Sequence, residues 1–97
     1  MTQITEIITA VAEEYGTTEE ALKSRKVCAS YNQARTMIYG LAHKRGHTCE
    51  AIGRAVGGRN YSTVADGMAL HRGRMKCLDG YAERFDAIDA GLANGTP

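Results

Sequence analysis

The stretch Thr48-Cys49-Glu50-Ala51-Ile52-Gly53-Arg54-Ala55-Val56-Gly57-Gly58-Arg59-Asn60-Tyr61-Ser62-Thr63-Val64-Ala65-Asp66 reads as a short helix, a glycine turn and the opening of a second helix. Thr48 is placed to cap the first helix, Ile52, Ala55 and Val56 fall on one face of it, and Gly57-Gly58 supply the positive φ that a sharp helix stop needs. Asn60 is placed to cap the second helix. That leaves Asn60, Tyr61, Ser62 and Thr63 at the end where unpaired N–H groups and the positive end of the helix dipole attract phosphate. Val64 and Met68 anchor this helix from behind. The pattern is a helix-turn-helix, a motif whose second helix sets its N-terminal residues against base edges in the major groove.

Upstream, Ile4, Ile7, Ile8, Val11, Ala12 and Tyr15 follow the i, i+3, i+4, i+7, i+8, i+11 spacing of one apolar helix face, so residues 3–15 form a helix. Gly16 stops it, and Thr17 or Thr18 caps a short second helix through Leu22, with Glu19 and Glu20 favourably placed in its first turn. Residues 23–30 keep no period and gather Lys23, Arg25 and Lys26 into an exposed basic loop. Ser30 caps a third helix with Tyr31, Ala34, Ile38, Leu41 and Ala42 as its buried stripe, ending near Arg45-Gly46; Arg35 lies off that stripe. Beyond the helix-turn-helix, whose second helix runs to about residue 75, Leu78, Tyr81, Ala82, Phe85, Ile88 and Leu92 form one more stripe. Asp79, Glu83, Asp86 and Asp89 face away from it, and Asp79-Gly80 breaks the chain at its start. Residues 93–97 form a frayed tail. The expected fold class is all-α: a compact helical domain over 1–76 containing the helix-turn-helix, with an extra C-terminal amphipathic helix over 77–92.

Residues Ala51 to Val64 resemble the signature of the DNA-binding domain of DnaA, the bacterial chromosomal replication initiator, a domain of Trp repressor-like fold. The likeness extends upstream to Ala34-Arg35-Thr36-Met37 and Leu41-Ala42, and to residues 4–24, and it fades beyond about Met75. The signature is specific because it ties a glycine turn, an arginine and a polar helix tip together, whereas helix-turn-helix periodicity alone is common. The resemblance implies duplex DNA as partner, Arg59 and Thr63 as phosphate contacts, and Arg35 as an arginine entering the minor groove. Three tip residues depart from the family. Asn60 stands where aspartate is usual, Tyr61 where histidine is, and Ser62 where threonine is. An asparagine amide both accepts and donates, so Asn60 could pair bidentately with adenine, or serve simply as the cap. The family's loop is also more densely basic than Lys23 to Ser30, where Val27, Cys28 and Ala29 intervene.

The chain of 97 residues allows one domain and has a formal net charge of +1, which hides a strong asymmetry. Residues 1–22 hold five glutamates and no Lys or Arg, a net of −5. Residues 23–76 hold eleven cations against Glu50 and Asp66, a net of +9, and residues 77–97 hold Arg84 against four acids, a net of −3. The positive field therefore coincides with the helix-turn-helix, and Arg25, Lys26, Lys44 and Arg54 join Arg59 as candidate contacts to DNA. Thr48 and the helix it starts are candidates for the opposite strand's phosphates. Asp66 runs against this field and is expected to pair with Arg54 or Arg59.

No Gly-rich phosphate loop, paired carboxylates or nucleophile elbow can be read in the chain, so neither a nucleotide, a cofactor nor catalysis is expected. His43, His47 and Cys49 match no zinc pattern, and a structural site wants four ligands, so no metal is expected either. Three cysteines without CxxC spacing, and no long apolar run, point to a cytoplasmic, nucleoid-associated protein with no membrane segment. The expected action is occupancy of duplex sites by a regulator of replication or transcription, bacterial or phage-encoded. The rivals are a small viral DNA-packaging subunit, with the last helix building a ring, and a helical interaction module for an acidic partner. Because the last stripe lies beyond the family-like region, it either packs on the domain's own core, with Tyr81, Phe85 and Ile88 folding back onto Ile4, Ile8 and Val11, or joins two copies, and a homodimer through Leu78, Tyr81, Phe85 and Ile88 is the expected of the two.

Overall fold

The computed structural model describes residues 2–94. Six helices account for most of them: α1 (Ile4–Glu14), α2 (Glu19–Lys23), α3 (Ala29–Lys44), α4 (Cys49–Ala55), α5 (Tyr61–Cys77) and α6 (Tyr81–Asn94), with no strand among the described residues. Three begin at side-chain caps that the sequence announces. Thr18 accepts from Ala21 N–H, Thr48 from Ala51 N–H and Asn60 from Thr63 N–H. Each such cap contributes about 1 kcal/mol. Helix α3 starts earlier than expected: Cys28 holds the cap position and Ser30 lies inside the helix.

Helix α3 packs against all five others, which explains why a single stripe does not describe it. Every residue from Ala34 to Ala42 is buried, including Arg35 and Thr36. Its closest partner is α5, and two glycines set that approach. A Cβ on Gly40 would lie 2.4 Å from the His71 ring, and one on Gly67 would lie 2.4 Å from the Tyr39 ring.

The C-terminal helix belongs to this core. Tyr81, Phe85 and Ile88 are buried in one cluster with Ile7, Ile8, Val11 and Ile38, and α6 packs on α1, α3 and α5. The expected dimer surface therefore does not exist as drawn, because three of its four residues face the chain's own interior. The same burial removes the stripe on which ring formation by a packaging subunit rested. Leu78, the fourth, caps α5 outside α6 and stays 40% exposed. Asp89 does not face away either: it pairs with Lys44 and, at 2.7 Å, with Arg45, tying α6 to the end of α3. Partial burial pushes the Asp89 carboxyl up, but the hydrogen bonds and charges of Lys44 and Arg45 outweigh it and hold the group below the usual range. Helix α6 includes Ala93 and Asn94, and the rest of the expected tail lies outside the described residues.

A buried polar chain joins α3, α5 and α6. The Thr36 hydroxyl donates to Gln33 O at 2.8 Å and accepts from Arg74 Nη1 at 2.9 Å. With that proton committed, Tyr81 Oη, 3.0 Å away, donates to Thr36 Oγ1 and accepts from His71 Nδ1–H at 2.9 Å. Burial pushes the Tyr81 phenol up to about 12. Burial, with the Arg72 charge second, holds the His71 imidazole below its usual pKa, so the network contains a neutral histidine. Sequence reading passed over His71. Its spacing from Val64 and Met68, i+7 and i+3, was the available signal that it shares their buried face.

Two outcomes follow for stability. The unfolded chain protonates His71 below about pH 6.5, and the folded chain only at lower pH. The His71 contribution is thus complete above that value and declines as the pH falls toward the folded pKa. In urea unfolding the stability gap between the natural chain and His71→Gln should narrow on acidification, and a gap independent of pH would refute the neutral-histidine assignment. Separately, Phe85→Ala should lose about 3–5 kcal/mol of unfolding free energy. A residue at a dimer interface would instead change the mass in light scattering and leave the monomer's stability alone.

Candidate nucleic-acid interface

The α4–α5 turn is built from backbone bonds and two arginines. Gly57 and Gly58 adopt φ of 74° and 75°, reversing the chain so that Arg59 N–H donates to Gly53 O at 2.8 Å. Gly57 also presses against the end of α2, where a Cβ would lie 2.1 Å from Lys23 O. Arg59 Nη1 donates to Val56 O, Arg59 Nη2 donates to Ser24 O at 2.8 Å, and Arg25 Nη2 reaches Gly57 O at 3.5 Å. The helix-turn-helix is thereby stitched to the basic loop.

Arg35 corrects the sequence reading most clearly. Instead of lying off the buried stripe it is 5% exposed. Its Nε donates to Leu22 O at 2.9 Å, and its Nη2 to Ser24 O at 3.0 Å and Ala21 O at 3.3 Å. Burial first, and then the Arg59 charge, lowers its pKa. This guanidinium closes the C-terminal end of α2 and also lines the cleft that runs between the basic loop and α5. Arg59 is half-buried and partly committed in the same way. Asp66 pairs with neither Arg54 nor Arg59: it is exposed and makes no ion pair among the described residues. Lys44 sits in the Asp89 cluster, on the side where α3 meets α6.

At the tip of α5, Asn60 Oδ1 accepts from three donors at once: Thr63 N–H, Thr63 Oγ1 and Ser62 Oγ, each at 2.9 Å. That saturates the oxygen that bidentate pairing with adenine would use, and leaves the Asn60 amide nitrogen as a free donor. The hydroxyl protons of Ser62 and Thr63 point inward, so both groups offer lone pairs outward. Tyr61 stands beside them, 60% exposed. Arg25, Lys26 and Arg54 are exposed cations around this tip's two flanking segments. Thr48 spends its hydroxyl oxygen on the α4 cap. Between the basic loop and α5 runs a cleft of about 480 Å³ whose walls include Arg25, Arg59, Arg74, Thr63 and Asp66.

A glycine-turned helix pair with an exposed polar tip on its second helix, inside an all-α domain with a basic middle, defines a DNA-binding protein of the helix-turn-helix class. Over residues 4–69 the chain matches the helix-turn-helix of the bacterial DnaA protein, and it belongs to that family. Curated proteins give no match. The family's domain binds DNA and is not a catalytic one. The match ends within α5, so α6, although part of the core, lies outside it. Among the described residues no helix is long and apolar enough to cross a membrane.

The two turn glycines separate a conformational cost from a steric one. Gly58→Ala meets only open space and should cost about 1–2 kcal/mol for its positive φ. Gly57→Ala adds a collision with Lys23 O and should cost clearly more. Thermal unfolding of the two variants checks this order, and equal losses would show that the turn does not rest on α2.

Proposed function

We propose that this chain occupies duplex DNA in a sequence-selective way, with the tip of α5 in the major groove, and that occupancy regulates replication or transcription. The observation that carries the reading is the tip itself. Asn60, Tyr61, Ser62 and Thr63 are exposed hydrogen-bonding residues on a helix end fixed to the core by Val64 and Met68. A solvent-facing tip held that firmly suits readout of base edges, since specificity depends on groups whose positions are set beforehand. Arg25, Lys26 and Arg54, exposed and free of ion pairs among the described residues, are the phosphate contacts of this reading. Arg59 contributes from the turn with the guanidinium hydrogens that Val56 O and Ser24 O leave free. Arg35 and Lys44 drop out as contacts, the first to the α2 carbonyls and the second to Asp89. Phosphate contacts position the domain and the tip supplies the choice of sequence.

With four phosphates neutralised by Arg25, Lys26, Arg54 and Arg59, the logarithm of the binding constant should fall with the logarithm of salt at a slope of roughly −3.6. Arg54→Ala should weaken binding to all duplexes alike and make the slope shallower by about 1. A gel-shift series in increasing salt measures both, and a flat response in the natural chain would end the duplex-binding reading.

A further inference from the structure

Asp66 is exposed on α5, one turn behind both Ser62 and Thr63, at the wall of the cleft that also holds Arg25, Arg59 and Arg74. It has no structural duty: the residue is exposed, forms no hydrogen bond or ion pair among the described residues, and sits beyond the first helical turn where an acid would favour the dipole. It is also one of only two acids in the +9 segment, and the other, Glu50, occupies the first turn of α4. A bare carboxylate on the leading helix of a DNA-binding domain meets phosphate repulsion unless the duplex offers it a donor.

Resting on the duplex-binding reading above, we infer that Asp66 is a base-reading residue that selects cytosine in the major groove. The groove floor carries two kinds of donor, the exocyclic amines of cytosine and adenine. A carboxylate is acceptor-only and presents two oxygens. Against adenine one oxygen faces the N7 lone pair beside the amine, whereas on cytosine itself the amine's groove-side neighbour is the C5 carbon, with guanine O6 lying across the pair. Thymine O4, guanine O6 and guanine N7 all repel it. Three to four residues of helix separate Asp66 from the tip, roughly 4.5–6 Å of rise. Base pairs step by about 3.4 Å, so the selected cytosine lies one or two pairs from those facing Ser62 and Thr63. Their outward lone pairs extend the same preference, so the face as a whole seeks exocyclic amines on neighbouring bases.

The test is selection from a duplex pool with a randomised site, followed by gel shifts on the recovered site and its single-base variants. The natural chain, Asp66→Asn, Asp66→Ala and Asn60→Asp are compared, with circular dichroism to confirm the helical fold. The natural chain should prefer cytosine over thymine at one position by roughly tenfold. Both Asp66 variants should lose that preference while keeping those at the other positions, and Asn60→Asp should change a different, neighbouring position. If Asp66→Asn and Asp66→Ala bind every duplex more tightly with unchanged base preferences, Asp66 is only a repulsive charge and the inference falls alone. If the natural chain retains no duplex from the pool, duplex binding fails and this inference with it.

Discussion

Ser24 O accepts from Arg35 Nη2 at 3.0 Å and from Arg59 Nη2 at 2.8 Å, and most of the molecule's arrangement depends on that shared carbonyl. Helix α2 has five residues, too few to persist without tertiary support. The carbonyls at its C-terminal end have no helical partners, and the partial negative charge there draws cations. Arg35 reaches them from the centre of α3 and Arg59 from the turn before α5. The same atoms thus close α2, orient the basic loop and fix the point from which α5 departs. Hydrogen bonds from charged donors are worth about 1.5–3 kcal/mol each, so this junction is a larger contributor than the surface ion pair of Lys23 and Glu19.

The choice of carbonyls over carboxylates as partners also shapes the electrostatics. Lys44 and Arg45 share Asp89, so one of their two charges is offset where α3 meets α6. Arg35 and Arg59 bond to neutral groups and keep their full charge. They add to the field over the basic segment, which steers an approaching polyanion, even though Arg35 is largely buried. A residue can therefore matter for association with DNA without touching it.

What the sequence disclosed and what it hid divide along physical lines. Caps, glycine turns and helical spacing are local, and they gave α1, α2, α4 and the tip of α5 nearly residue by residue. The burial of Arg35 is not legible in the pattern, because a guanidinium facing carbonyls of another helix has the same local spacing as one facing solvent. The stripe on α6 was legible as a stripe, but amphipathicity states only that a face is covered, and Tyr81, Phe85 and Ile88 are covered by α1, α3 and α5. The chain of Thr36, Tyr81 and His71 joins three helices, and no spacing rule links those positions. Asp66 could be flagged as a misfit from its charge alone. Its lack of a partner required the fold.

The knot of hydrogen bonds on Asn60 Oδ1 has a thermodynamic consequence for whatever meets the α5 tip. Ser62 and Thr63 already donate to the Asn60 oxygen, and Thr63 N–H completes the set. Ordering a free side chain on association costs about 0.5–1.5 kcal/mol. Here that loss of freedom was incurred when the helix formed, so the tip behaves as a rigid stencil. A matching surface gains its contacts to Asn60, Ser62 and Thr63 with little entropic penalty, whereas the exposed Tyr61 ring stands outside that knot.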